Sequence, residues 1–241
     1  MSVNGSTLAR RLVAEALGTA LLLATVVGSG ITAERLCGGN VGLALLVNAL
    51  ATGAGLVALI LTFGPVSGAH FNPAVTLSDA ALGGLSWREV PGYVAAQVTG
   101  AFAGVATAHL MYGAPLFSAS AHPRSGAAQV FSEAVATFGL LAVVWGVSRR
   151  RSEAVPLAVG AYITAAYCFT ASTSFANPAV TLARAATDTF AGIRPADAPP
   201  FIVAQLVGAG AATALFRWLV PALPARAAAV VVPHAGGSEV P

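Results

Sequence analysis

Apolar and polar positions divide the chain into eight apolar stretches separated by short polar breaks. Six of them, at about residues 10–32, 41–63, 91–112, 128–148, 154–171 and 199–220, are long enough to cross a hydrocarbon core of about 30 Å, which takes roughly 20 mostly apolar helical residues. Two more, at about 73–84 and 178–190, are too short. Each short piece opens with the same hexapeptide, Asn-Pro-Ala-Val-Thr-Leu, at Asn72–Leu77 and at Asn177–Leu182. Asn is a favoured N-cap, and Pro suits the first helical position because it has no N–H to lose. The hexapeptides therefore predict two short helices, each starting with an Asn side chain on display. The stretches before them, 63–71 and 169–176, are rich in Gly, Ser, Thr and Ala. Irregular backbone at membrane depth survives only where protein or a water-filled cavity satisfies its polar groups, so both are expected to be re-entrant.

The repetition extends beyond the hexapeptide. Glu15 with Thr19 four residues on is matched by Glu133 with Thr137, and Ala96-Gln97 followed by Gly100 is matched by Ala204-Gln205 followed by Gly208. Each half runs span, span, half-helix, span, over about 8–115 and 126–221, within one domain of residues 1–221 that is followed by a tail at 222–241. Three spans per half make the second copy enter from the opposite side of the membrane. Such inverted repeats place the functional site near the midplane, where the half-helix starts face each other. The expected fold is thus an all-α membrane protein with six transmembrane helices and two re-entrant half-helices. Gly100, Gly104, Gly208 and Gly210 are expected to let the third and sixth spans pack closely.

Composition narrows the class. Over 241 residues the chain is 56% hydrophobic and 9% charged, against about 25% charged in soluble domains. Every basic residue is Arg, and the net charge of +3 is too small and scattered to suggest nucleic acid. Cys37 and Cys168 show no metal-ligand or CxxC spacing, so neither a metal site nor a cofactor is expected. Arg10 and Arg11 ahead of the first apolar run resemble the start of a signal peptide. That run carries Glu15, is long enough to span and is followed by no Ala-x-Ala site, so it reads as a retained first span. With both termini cytoplasmic, Arg10, Arg11, Arg88, Arg149, Arg150, Arg151, Arg217 and Arg226 fall inside and only Arg35, Arg124, Arg184 and Arg194 outside, in line with the positive-inside rule for a plasma-membrane protein. The tail is rich in Pro, Ala and Val without periodicity.

A half-helix start carries roughly half a positive charge, so two starts meeting at the midplane repel cations. The side-chain oxygens of Asn72 and Asn177 can cap their own helices, which leaves the NH2 groups to donate to a passing oxygen. Water accepting from both must turn its protons away, and a proton wire is broken there. Glu15 and Glu133 are intramembrane acids with two readings: a proton relay, or acceptors for the N–H groups of the re-entrant loops. Their symmetric placement favours the second. Gln97 and Gln205 read as buried amides that bond the same loops. No nucleophile–base or metal constellation is present, so no enzymatic activity is expected.

The segment Ser67-Gly68-Ala69-His70-Phe71-Asn72-Pro73-Ala74-Val75-Thr76, with its partner Asn177-Pro178-Ala179, resembles the signature of the aquaporin (major intrinsic protein) family. The likeness covers about residues 8–220 and implies a passive channel, a homotetramer with one pore per protomer, and loop-bracing roles for Glu15 and Glu133. His70 lies within the signature and either lines the pore or anchors the loop. Most of the family places Arg three residues after the second motif Asn; here it is Val180, matching Val75 in the first half. Carried over by spacing, the rest of the selectivity filter is Thr52, Ser174 and Tyr167, with Ala165 as the alternative for the last. This filter is uncharged and wider than a strict water filter unless Tyr167 closes across it. Glycerol channels have Asp directly after the filter Arg; here Thr181 stands there, so a polyol specialist is not implied.

Arg184 lies four residues beyond Val180, on the same helix face about 6 Å further toward the outer mouth. Two readings stand: it restores positive potential in the vestibule, or, the favoured one, it pairs with Asp188 or the headgroups. Asp79 is its counterpart by repeat symmetry. The leading function is a passive channel for water and small uncharged solutes such as glycerol, urea, ammonia and neutral metalloid hydroxides. The Thr52 and Val180 filter is similar to a bacterial branch of the family often linked to arsenite. An ion- or proton-coupled secondary transporter is the alternative, since inverted repeats and broken helices suit that class too.

Overall fold

The structure, a computed structural model, describes residues 6–149 and 151–220. The tail at 222–241, with Arg150 and Arg226 of the charge argument, lies outside them. Among the described residues, eight α-helices follow in order: α1 Leu8–Leu36, α2 Val41–Ser67, α3 Pro73–Ala81, α4 Val90–Tyr112, α5 Ala127–Ser148, α6 Val155–Phe169, α7 Pro178–Arg184 and α8 Ala198–Leu219. Side-chain caps start the ones that need precise entry: Asn40 Oδ1 accepts from the Leu43 N–H at 3.0 Å, and Asn72 and Asn177 do the same for α3 and α7.

Two element boundaries depart from the sequence expectation. Helix α2 runs on through Gly64 and Pro65 to Ser67 and stops where Gly68 takes a left-handed φ of 89° and donates to the Gly64 carbonyl. The first re-entrant loop is therefore shorter than residues 63–71. The expected span at 154–171 is a 15-residue helix, α6, which rises only about 22 Å. Among the described residues, five helices are long and apolar enough to cross a membrane by themselves. Helix α6 reaches further only with the 3-10 turn Ser152–Ala154 at one end and the loop from Thr170 at the other.

The halves pack alike. In the first, α1 lies on α2 and α4, and α3 on α4; in the second, α5 lies on α6 and α8, and α7 on α8. They join through α2 against α6, and each half-helix also leans on the last span of the other half, α3 on α8 and α7 on α4. Outward-facing Leu17, Leu21, Leu46, Leu50, Leu61, Leu157, Val203 and Val207 are exposed, as apolar side chains facing lipid should be.

Glycine sets the closest approaches. A Cβ on Gly100 would lie 2.2 Å from the Ala16 carbonyl oxygen, and one on Gly208 would lie 2.2 Å from that of Ala134. Both obstacles are backbone, so neither can swing aside. Gly210 departs from expectation: it has nothing within 4 Å and is not a packing residue. Gly100→Ala and Gly208→Ala should each lower stability by about 1–3 kcal/mol, the usual cost of overpacking, and Gly210→Ala should not. Thermal unfolding of the three variants in detergent checks this.

Candidate pore

Each hexapeptide Asn caps the helix that it opens. Asn72 Oδ1 accepts from the Ala74 N–H at 2.9 Å. Asn177 Oδ1 accepts from the Ala179 and Val180 N–H groups at 3.0 and 3.3 Å. Their amides then cross between the halves: Asn72 Nδ2 donates to the Ala176 carbonyl and Asn177 Nδ2 to the Phe71 carbonyl, both at 2.8 Å. An amide NH2 carries two hydrogens, so one ties the opposite loop and one is left for the cavity that both Asn residues line. This corrects the expectation that the whole NH2 group is free for a passing oxygen. To present these carbonyls, Phe71 and Ala176 both take a left-handed φ of 49°, with Ala69 at 48° and Ser174 at 50° three residues before each Asn. Such conformations cost of order 1–3 kcal/mol each in non-glycine residues, so something must hold them.

Two carboxylates do. Glu15 Oε1 accepts from the Ser67 hydroxyl at 2.7 Å and the His70 N–H at 2.9 Å; its Oε2 accepts from the Phe71 N–H at 2.7 Å and Gln97 Nε2 at 2.8 Å. Glu133 Oε1 accepts from the Phe175 N–H at 2.8 Å, and its Oε2 from the Ala176 N–H at 2.9 Å and Gln205 Nε2 at 2.6 Å. The Gln amides reach on to Thr76 and Thr181, whose hydroxyls donate to the carbonyls of Asn72 and Asn177. Both acids are fully buried, and neither lines the cavity.

That cavity, of about 70 Å³, is walled by apolar residues of α1, α2, α5 and α6, among them Leu22, Ile60, Leu140, Val159 and Ile163. Thr52, Tyr167, Ser174 and Val180 all line it. The hydroxyls of Thr52 and Tyr167 stand 3.3 Å apart, so the Tyr167 side chain reaches across to α2. Ala165 is exposed instead of facing inward.

Residues 2–174 and 150–240 match the family described as Major intrinsic protein. The chain belongs to the major intrinsic protein family. It is 58% identical over 218 residues to the aquaglyceroporin AqpS of Rhizobium meliloti (strain 1021), covering 90% of this chain and 93% of that one. It is 35% identical over 181 residues to aquaporin NIP1-3 of Oryza sativa subsp. japonica, covering 72% of this chain and 62% of that one. The X-ray structure of the aquaglyceroporin from Plasmodium falciparum superposes with a TM-score of 0.69 at 22% identity, over 90% of this chain and 99% of that one. The fold is that of an aquaporin, a multi-pass integral membrane protein.

Against the family pattern, the charged residues around the cavity are the informative ones. Arg184 is buried at 1% exposure, with Nε donating to the Ala191 carbonyl and its guanidinium carbon 3.4 Å from the Phe175 ring centre. It neither pairs with Asp188, whose Oδ1 accepts from the Ala121 N–H, nor reaches headgroups; the pairing reading is overturned. The cause is α7, which ends at Arg184 and turns the side chain onto the re-entrant loop. At the repeat-related place, Asp79 is buried behind His70 and off the cavity, with Oδ2 3.6 Å from His70 Nε2. His70 lines the cavity, and its Nδ1 lies 3.1 Å from the hydroxyl of Thr76 on α3.

No sequence motif marks the part played by Arg124. From the stretch joining the halves its Nε donates to the Gly192 carbonyl at 2.7 Å, Nη1 to the Ser172 carbonyl and the Thr173 hydroxyl at 3.3 and 3.2 Å, and Nη2 to the Phe190 carbonyl at 3.3 Å. Burial lowers its pKa from the ordinary value. Most of its acceptors are main-chain carbonyls, which any residue supplies, so no motif marks them.

Proposed function

We propose that this chain is a passive plasma-membrane channel that carries water and small uncharged solutes, among them glycerol, urea, ammonia and neutral metalloid hydroxides such as arsenous acid. Both termini are cytoplasmic, and the assembly is a homotetramer with one pore per protomer. The observation that carries the reading is the pair of crossed asparagines in one apolar cavity. Each keeps one N–H for a permeating oxygen, and the two half-helix starts oppose cations. A water molecule accepting from both must point its own protons outward, which interrupts proton transfer. The family relationship to aquaglyceroporin AqpS supports solutes beyond water.

Thr52, Tyr167, Ser174 and Val180 form the selectivity filter. Without the family's Arg it has no fixed charge, and the contact between Tyr167 and Thr52 sets its width. Tyr167→Ala should raise glycerol and urea permeability several-fold while water flux persists; solute-driven swelling of proteoliposomes measures it. Glu15 and Glu133 brace the re-entrant loops. A proton-coupled transporter would need these acids to meet the pore, yet they lie off it with their oxygens occupied by N–H and hydroxyl donors. Swelling assays with water, glycerol, urea and arsenous acid test the solute range. Rates no higher than those of protein-free vesicles for every solute would refute the channel.

A further inference from the structure

Beside Val180 the cavity is lined by two buried polar groups, Arg184 and Ser174, each with a donor that no group in the protein receives. Arg184 is fixed through Nε on the Ala191 carbonyl and through its flat face on the Phe175 ring, while Nη1 has no hydrogen-bond partner. Ser174 is 2% exposed, and its Oγ also has none. Both residues line the same cavity. Leaving a buried cationic N–H without an acceptor is expensive, and the stacking on Phe175 gives Nη1 none. The acid that faces Arg184 is Glu133, whose oxygens already accept from Phe175, Ala176 and Gln205. Its other neighbours are Arg124, of the same sign, and the Tyr167 hydroxyl, which is also its side-chain hydrogen-bond partner; Nη1 is left over.

Resting on the pore reading above, we propose that Arg184 and Ser174 form an oxyanion-binding subsite at this mouth, one turn beyond the usual place of the filter arginine. A guanidinium edge suits two oxygens carried on one central atom, and the serine hydroxyl adds a donor beside it. The ligand class is a small monovalent oxyanion. It docks without crossing, because the way onward passes Val180, Val159 and Ile163, where an ion would lose its hydration without replacement. A bound oxyanion therefore acts as a reversible plug on neutral permeation.

The test is water flux through the full-length protein in proteoliposomes, measured by stopped-flow light scattering in sodium nitrate against sodium chloride of equal osmolarity. Nitrate should slow the wild type in a saturable way that chloride does not. Its apparent affinity should fall about tenfold or more in Arg184→Gln and in Ser174→Ala, the size of one charge-assisted hydrogen bond. Ser174→Ala decides the matter if the buried Arg184 variant does not fold. Nitrate acting no differently from chloride, or acting equally on wild type and Ser174→Ala, overturns the subsite while leaving the channel intact. A wild type no faster than protein-free vesicles overturns the pore reading itself.

Discussion

Replacing Glu15 with alanine should cost more stability than any single change among the residues that line the pore. The carboxylate holds the Ser67 hydroxyl, the N–H groups of His70 and Phe71, and the Gln97 amide. All four donors lie where water has little access. Orphaning a buried donor costs about 1–3 kcal/mol, so the loss approaches or exceeds the roughly 5–15 kcal/mol that ordinarily holds a domain together. The left-handed Ala69 and Phe71 would then relax, and the Phe71 carbonyl would no longer meet Asn177. The expected result is little or no monodisperse protein on size-exclusion chromatography in detergent, with Glu133→Ala showing the same defect through its three donors. A Glu15→Ala protein that purifies normally and unfolds within a few degrees of the wild type would contradict the bracing role.

The second large effect is on selectivity. Val180 lines the same cavity as Ser174, Tyr167 and Thr52. Val180→Arg brings a long side chain and a fixed charge into that space, close to the like charge of Arg184. Glycerol and urea permeability should fall at least about tenfold, corresponding to roughly 1.4 kcal/mol or more of added barrier, whereas water, being smaller, keeps a larger share of its rate. Paired swelling and osmotic-shrinkage rates on the same vesicles give the ratio. An unchanged solute-to-water ratio would mean that Val180 does not set the filter.

Much of this protein was legible in its sequence because the repeat reports the same chemistry twice. Paired Asn-Pro caps, paired Glu and Gln, and apolar stretches of spanning length identify the elements and the residues that converge on them. What was not legible depends on main-chain groups. The crossed bonds from Asn72 to the Ala176 carbonyl and from Asn177 to the Phe71 carbonyl leave no side-chain signature, and neither do the carbonyls gathered by Arg124. For Arg184 spacing misleads, because it gives a helix face without saying that the helix ends there. Its neighbour four residues on, Asp188, is past the end of α7 and bonds the Ala121 N–H instead. The extension of α2 past Pro65 was hidden because a proline lacks the N–H that the helix ladder uses and so reads as a stop, whereas α2 carries it two residues before its end.

Passive conduction through the asparagine-paired pore is tested most directly by the initial rate of glycerol entry into proteoliposomes over a series of glycerol gradients, with and without an imposed pH gradient. A channel gives rates that rise linearly with the glycerol gradient and are the same in both conditions. Rates that saturate and follow the pH gradient would show proton-coupled transport and contradict the channel.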